Sequence, residues 1–311
     1  SPLEPAVPSS RPGEATRRAV LSAGARLASG LALTGSAAAV TMAGGSLAGR
    51  AALAAPEADP RPGGSAPADP AAELDPAILA ETLARAEALE RLRALIVARH
   101  GVTLVERRFR GPALARPVNI KSASKTVLSA LIGIAIDKGV LKGVEQPIAP
   151  LLKDKLPKSP DPRLHKLTVG HLLSMQAGLE RTSGYHYGAW VSSRDWVRDA
   201  LARPFVDEPG GAMLYSTGSY HLLSAILTRV TRRSTLDLAR AWLGEPLGIT
   251  VPPWTRDPQG IYLGGNEMAL SPRALLRFGE LYRRGGSVDG RRVLSPGWIE
   301  ASWTARTRSP F

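Results

Sequence analysis

The 311-residue chain contains no cysteine. That excludes disulfide scaffolds, zinc ribbons, iron–sulfur ligation and thiol nucleophiles together, and it is compatible with an oxidising compartment. Aromatic residues make up only 5% of the chain, too few to interleave with basic side chains as single-strand nucleic-acid binding demands. Lysine is scarce. There are eight, all between Lys121 and Lys166, against 32 arginines. The net charge of +13 therefore rests on scattered arginine in a chain rich in Ala, Gly and Pro, the composition of a GC-rich coding sequence rather than a nucleic-acid stripe. Hydrophobic residues at 44% and charged residues at 22% are ordinary globular values, which excludes collagen-like, coiled-coil and wholly disordered chains.

The first residue is Ser1 rather than a start methionine. Thr16-Arg17-Arg18-Ala19-Val20-Leu21 places a twin arginine before a mildly apolar stretch, the address read by the Tat export machinery. Leu27 to Gly49 runs 23 residues without a charge. It is long enough to span a bilayer but too rich in Ala, Gly and Ser for a strong permanent anchor. Ala52-Leu53-Ala54 offers a small-x-small cleavage site. Residues 1–54 therefore read as an export leader, with an exported, periplasmic or extracellular, destination; anchoring by the leader is the alternative. Residues 55–75 carry repeated prolines among small and acidic residues, a linker composition. Residues 76–311 read as the folded domain and carry a net charge of +14.

Within that domain, Ala77 to Leu92 has the apolar spacing of a helix, with Leu79, Leu83, Ala86 and Leu89 on one stripe. Ala94 to Arg99 and Val102 to Phe109 read as strands turning at His100-Gly101. Ser122 to Lys138 reads as a helix closed by Gly139, apolar over most of its circumference and so buried. Thr168 caps a short helix that ends before Gly178. Tyr220 to Thr231 reads as another helix. Ser234 and Asp237 resemble a capping box for a helix reaching Leu243. Ser271-Pro272 and Ser295-Pro296 each open a helix, the first running to Arg284. About seven helices stand against two convincing strands, and a lone hairpin is marginal in water.

Several catalytic motifs are absent: the G-x-S-x-G elbow, H-E-x-x-H, the P-loop and a G-x-G-x-x-G after a strand. The five histidines are His100, His165, His171, His186 and His221. None is paired with a carboxylate at a metal-ligand spacing on one helix face, so each reads as a surface or turn residue. No metal and no organic cofactor is implied.

Ser122-Ala123-Ser124-Lys125 remains, an S-x-x-K at the start of the buried helix. Residues three apart share a helix face, so the lysine amine can reach the serine hydroxyl. A lysine in an apolar site gives up its proton readily and can act as a general base. Alone the motif is weak, and its plain alternative is an N-cap serine followed by a surface lysine. A second polar cluster, Tyr215-Ser216-Thr217-Gly218, precedes the helix from Tyr220 and is placed to point into a cleft.

With these two clusters the chain resembles the serine beta-lactamase-like hydrolase superfamily, on the side of class C beta-lactamases, esterases and D-aminopeptidases. Ser122-Ala123-Ser124-Lys125 matches its S-x-x-K, and Tyr215-Ser216-Thr217 stands where the family has Y-x-N. LTVGHLLSMQAGL, YHLLSAILTRVT and EPLGI resemble the segments around those motifs. RDPQGIYLGGNEMALSPRALLRFGELYRRGG resembles the subgroup that contains 6-aminohexanoate oligomer hydrolases. The resemblance implies an α/β (α+β) fold, an antiparallel sheet flanked by helices with an all-helical subdomain. It implies Ser122 as the acylated nucleophile, with Lys125 and Tyr215 sharing the acid and base work and the Ser122 N–H as half of an oxyanion hole. It points to Asn266, Tyr187 and Thr217 as substrate contacts.

Two features depart from the family. Thr217 replaces the Asn of Y-x-N and lacks its NH2 donor. The third motif, K-T-G or a looser equivalent on a core strand, is absent, so the chain reads as lacking both natural ends, with the C-terminal strands missing. The resemblance implies a serine hydrolase acting through an acyl-enzyme on a small amide or ester. A beta-lactamase or penicillin-interacting D,D-peptidase is the alternative on the same scaffold, and a non-catalytic binding protein is the alternative from another class. A small molecule is the expected partner, and nucleic acid is not.

Overall fold

Local sequence signals account for most of the elements. In this computed structural model the described residues are 74–308. The leader-like segment 1–54 and all but the last two residues of the linker lie outside them. Helix α1 (Pro76–Ala88) opens on the Asp75 carboxylate, which accepts from the amides of Ala77 and Ile78. It ends at Ala88, earlier than its apolar spacing predicts, because Leu89 turns extended and exposed.

Strands β1 (Ala94–Arg99) and β2 (Val102–Arg108) form an antiparallel hairpin with a bulge between Val97 and Ala98. Its turn holds His100 and Gly101 at φ of 50° and 85°, the left-handed pair that a tight hairpin requires. Strand β3 (Val118–Asn119) is two residues long and leads into a 3-10 turn, Lys121–Ala123.

Helix α2 (Ser124–Asp137) buries ten of its fourteen residues. Each large apolar side chain so enclosed contributes roughly 1.5–3 kcal/mol. Helices α3 (Val169–Leu173), α4 (Tyr187–Val191) and α5 (Trp196–Leu201) are short. Thr168 and His171 make the capping box that opens α3. Helix α6 (Thr217–Thr231) lies across α2, α3 and α5. Helix α7 (Thr235–Ala239) starts on Ser234 as expected and continues through a π-helical turn, Arg240–Gly244, into α8 (Glu245–Leu247).

Strand β4 (Ala269–Leu270) pairs antiparallel with β3, so Asn119 faces Ala269. Helix α9 (Pro272–Arg283) packs against β1 and opens on Ser271, whose hydroxyl accepts from the Ala274 amide. Strands β5 (Ser287–Val288) and β6 (Arg291–Arg292) form a small hairpin. Helix α10 (Pro296–Trp303) closes the described part and lays Trp298 over Gly133 of α2.

Among the described residues the architecture is mostly helical, with three two-stranded antiparallel sheets. The main core is centred on α2 and α6, and Trp190, Trp196 and Leu263 form a second, small buried cluster. No helix among the described residues is long and apolar enough to cross a membrane.

Two helix starts differ from the sequence reading. Ser122 sits in the 3-10 turn, and α2 begins at Ser124. Helix α6 begins at Thr217, three residues before Tyr220. His221 is also no surface residue: it is fully buried in α6.

Candidate active site

The S-x-x-K spacing has its effect through the 3-10 turn. Side chains three apart eclipse one another in such a turn, and Ser122 and Lys125 straddle its junction with α2. Ser122 is exposed, whereas Lys125 is only 5% exposed. The Lys125 Nζ lies 3.4 Å from Ser122 Oγ, 3.4 Å from Thr217 Oγ1 and 2.5 Å from the Gly265 carbonyl. It also stands 4.9 Å from the ring centre of Tyr215 and 5.9 Å from that of Tyr220. Burial lowers its pKa from the ordinary lysine value to about 8. A buried ammonium loses hydration that these neutral neighbours replace only in part.

All three oxygens, Ser122 Oγ, Thr217 Oγ1 and Gly265 O, can accept from the Lys125 ammonium. When the amine is neutral, two N–H bonds still serve Gly265 O and Thr217 Oγ1, and its lone pair can take up the Ser122 hydroxyl. The 3.4 Å to Ser122 is long for a hydrogen bond, as catalytic contacts often are without substrate.

Thr217 is held from a distance. Its amide donates to Ser183 Oγ at 2.9 Å, and the two hydroxyls meet at 3.0 Å. The next amide, of Gly218, donates to Thr182 Oγ1 at 2.7 Å. Hydroxyls thirty-odd residues upstream thus satisfy the free amides at the start of α6, and Ser216 makes no cap of its own. This is why the helix begins earlier than its own sequence predicts. Tyr215, just before it, is half-buried against the core.

The Gly265 carbonyl comes from a loop lashed to α6. His221 Nε2 and Asp257 Oδ2 are 3.0 Å apart with both side chains fully buried. Trp190 and Trp196 wall the imidazole edge-on. The other Asp257 oxygen accepts from the amides of Gln259 and Ile261. One turn along α6, Ser224 donates to the Tyr262 carbonyl at 2.6 Å. Gly264 then passes directly over the Tyr220 backbone, where an added Cβ would lie 2.0 Å from the Tyr220 carbonyl oxygen. The helix that carries Thr217 therefore also places Gly265.

Asn266 follows Gly265 in that loop. Its Oδ1 is buried without a partner. Its side chain interacts with the phenol of Tyr187, whose pKa is raised, chiefly by burial. So Ser122, Lys125, Tyr215 and Thr217 gather around one amine, while Asn266 and Tyr187 form a second pair beside it. The sequence reading missed Gly265, Thr182, Ser183, His221 and Asp257. The paired glycines of GGN carried a signal for close backbone approach. The distant hydroxyls carried none. A cavity of about 760 Å³ touches Lys125 between α2, α9 and α10, but Ser122, Tyr215, Thr217 and Asn266 do not line it.

A sequence profile of the Beta-lactamase family matches residues 87–311, most of the chain. The chain belongs to the Beta-lactamase family. Members of this family are serine hydrolases and penicillin-binding enzymes, and the beta-lactamase/transpeptidase-like fold is seen here directly. Solved structures agree on the fold. A Bacillus anthracis protein described as a 6-aminohexanoate-dimer hydrolase superposes with a TM-score of 0.57 at 23% identity, over 67% of this chain and 58% of its own. An octameric penicillin-binding protein homologue from Pyrococcus abyssi gives 0.59 at 17%, over 76% and 62%. EstCE1, described as a hydrolase with promiscuous acyltransferase activity, gives 0.56 at 17%, over 71% and 77%. The chain spans less than two thirds of the length of the Bacillus and Pyrococcus proteins. Among curated protein sequences none matches this Beta-lactamase family chain.

Proposed function

We propose that this protein is a serine hydrolase that cleaves a small ester or amide through an acyl-enzyme on Ser122. The observation that carries the reading is the buried Lys125, whose Nζ meets Ser122 Oγ at 3.4 Å and has its pKa brought down to about 8. A surface lysine behind an N-cap serine would show neither feature.

In this reading the Ser122 oxygen attacks the substrate carbonyl carbon, and its proton passes to the Lys125 lone pair. The carbonyl π electrons move to oxygen, where the Ser122 N–H supplies one donor. Collapse of that oxyanion breaks the bond to the leaving oxygen or nitrogen. The leaving atom takes a proton delivered by way of the Lys125 ammonium and the Tyr215 hydroxyl. Water then attacks the acyl-enzyme with the same groups in reversed roles and releases the acid and Ser122. Thr217 and Gly265 hold the amine through both halves. Asn266 and Tyr187 contact the substrate.

Thr217 in place of asparagine supports an amide- or ester-cleaving reading over a beta-lactam one. The description of the Bacillus anthracis protein is in line with it, while the Pyrococcus penicillin-binding protein homologue keeps the beta-lactam alternative in the test. The test is a panel of a p-nitrophenyl acetate-type ester, a 6-aminohexanoate dimer and a chromogenic cephalosporin, each with the wild type and Ser122→Ala. Ester or dimer turnover that falls by about 10³-fold or more in Ser122→Ala is the expected result. Turnover by Ser122→Ala at the wild-type rate refutes the reading. Ser122-dependent cleavage of the cephalosporin alone establishes the beta-lactamase alternative.

A further inference from the structure

Outside the residues that surround the amine, the loop that bears Gly265 and the turn that bears Ser122 each carry a non-glycine residue in left-handed backbone. Glu267 has φ of 68° and Lys121 has φ of 51°. Glycine adopts this region freely, while a residue with a Cβ does so at a cost. Such residues persist where the surroundings over-determine them.

The surroundings here are specific. One Glu267 oxygen accepts from Asn119 Nδ2 at 2.5 Å, and the other accepts from Lys121 Nζ at 3.1 Å. Asn119 Oδ1 accepts from the Lys121 amide at 2.8 Å. The backbone closes the ring: the Ile120 amide donates to the Met268 carbonyl, and the Met268 amide donates to Ser124 Oγ. Ser124 in turn donates to the Lys121 carbonyl at 2.5 Å. These contacts join residues 119–124 to residues 267–268, the flanks of Ser122 and Gly265.

The geometry points to Glu267 as a positioning residue: its carboxylate clamps the Gly265 loop to the Ser122 turn and so sets the distance from Ser122 Oγ to the lysine that Gly265 holds. The kinetic half of this inference rests on the hydrolase reading above; the structural half does not. The Lys121 side chain is 70% exposed, and an exposed ion pair contributes little by itself. The bond to Asn119, which also orients the Lys121 amide, is the stronger part of the clamp.

Glu267→Gly is the discriminating variant. It removes the carboxylate and the left-handed strain together, so a carboxylate with no clamping role would leave the protein equally or more stable and equally active. The clamp instead predicts unchanged or raised Tm, about tenfold lower kcat with KM within twofold, and about tenfold faster hydrogen exchange at the Ile120 and Met268 amides. Glu267→Gln keeps an acceptor for Asn119 and restores kcat to within about threefold of wild type. Wild-type exchange in Glu267→Gly overturns the clamp, whatever kcat does. Faster exchange with wild-type kcat overturns its positioning role. If the wild type cleaves none of the panel substrates, the hydrolase reading falls, and exchange alone then decides whether the clamp exists.

Discussion

Lys125→Met lowers kcat on a Ser122-dependent substrate by about 10³-fold or more while the protein stays folded. General acid–base groups contribute about 10²–10⁴-fold, and this lysine is placed to act in both halves of the reaction. Methionine follows the lysine stem closely, so the packing of α2 is preserved. What is lost is the lone pair at 3.4 Å from Ser122. Arginine is no substitute, because it stays protonated throughout the working pH range.

The same substitution has a signature in stability. Folding lowers the Lys125 pKa from 10.5 to about 8. Between those values the unfolded chain binds more protons than the native one, so stability rises with pH across that window. Below pH 8 the native protein carries the full cost of a buried ammonium, about 3 kcal/mol at 1.4 kcal/mol per unit. Denaturant unfolding from pH 7 to 10 should therefore show the wild type gaining stability relative to Lys125→Met, with most of the gain above pH 8. In the wild type kcat/KM rises through an apparent pKa near 8, because only the neutral amine can take the Ser122 proton. Parallel stability curves for the two proteins, or a rate independent of pH from 6 to 9, contradict the assignment of the base.

The second large effect belongs to a residue with no side chain. A Cβ at Gly264 would fall 2.0 Å from the Tyr220 carbonyl oxygen and 2.9 Å from a Leu128 methyl. Neither can retreat: one is the backbone of α6 and the other lies in the core. Gly264→Ala therefore lifts the loop away from the helix by more than an ångström. The lift destabilises the protein by about 1–3 kcal/mol, as overpacked substitutions do. It also carries the Gly265 carbonyl off Lys125, and misplacement on that scale costs about 10²-fold in rate. Thermal unfolding and kcat are the readouts. Gly279→Ala is the control, since nothing lies within 4 Å of its added Cβ, and helical alanine there stabilises slightly. Equal behaviour of the two variants would mean that the loop does not rest on α6.

The sequence shows the parts whose causes are local. The β1–β2 hairpin, the openings of α9 and α10 and the cap of α3 each depend on a turn pair or a capping side chain within a few residues. The Ser122–Lys125 pairing is legible for the same reason, as three residues of helical turn. The start of α6 is not, because Thr182 and Ser183 complete it from another loop. Nor is Gly265, which acts through a backbone carbonyl common to every residue type. His221 reads as a surface histidine until Asp257, 36 residues away, is brought against it under two indoles. Resemblance to the oligomer hydrolases points to Asn266 and Tyr187, and the fold sets them side by side.

The central claim is that Ser122 becomes acylated because Lys125 accepts its proton. The most direct measurement is intact mass, followed by peptide mapping, after incubation of the chain with a fluorophosphonate at pH 8.5. The account predicts one adduct per chain, located on Ser122, forming at least tenfold more slowly at pH 6.5 and undetectably in Lys125→Met. An adduct on another serine, or labelling of Ser122 that is indifferent to Lys125, contradicts it.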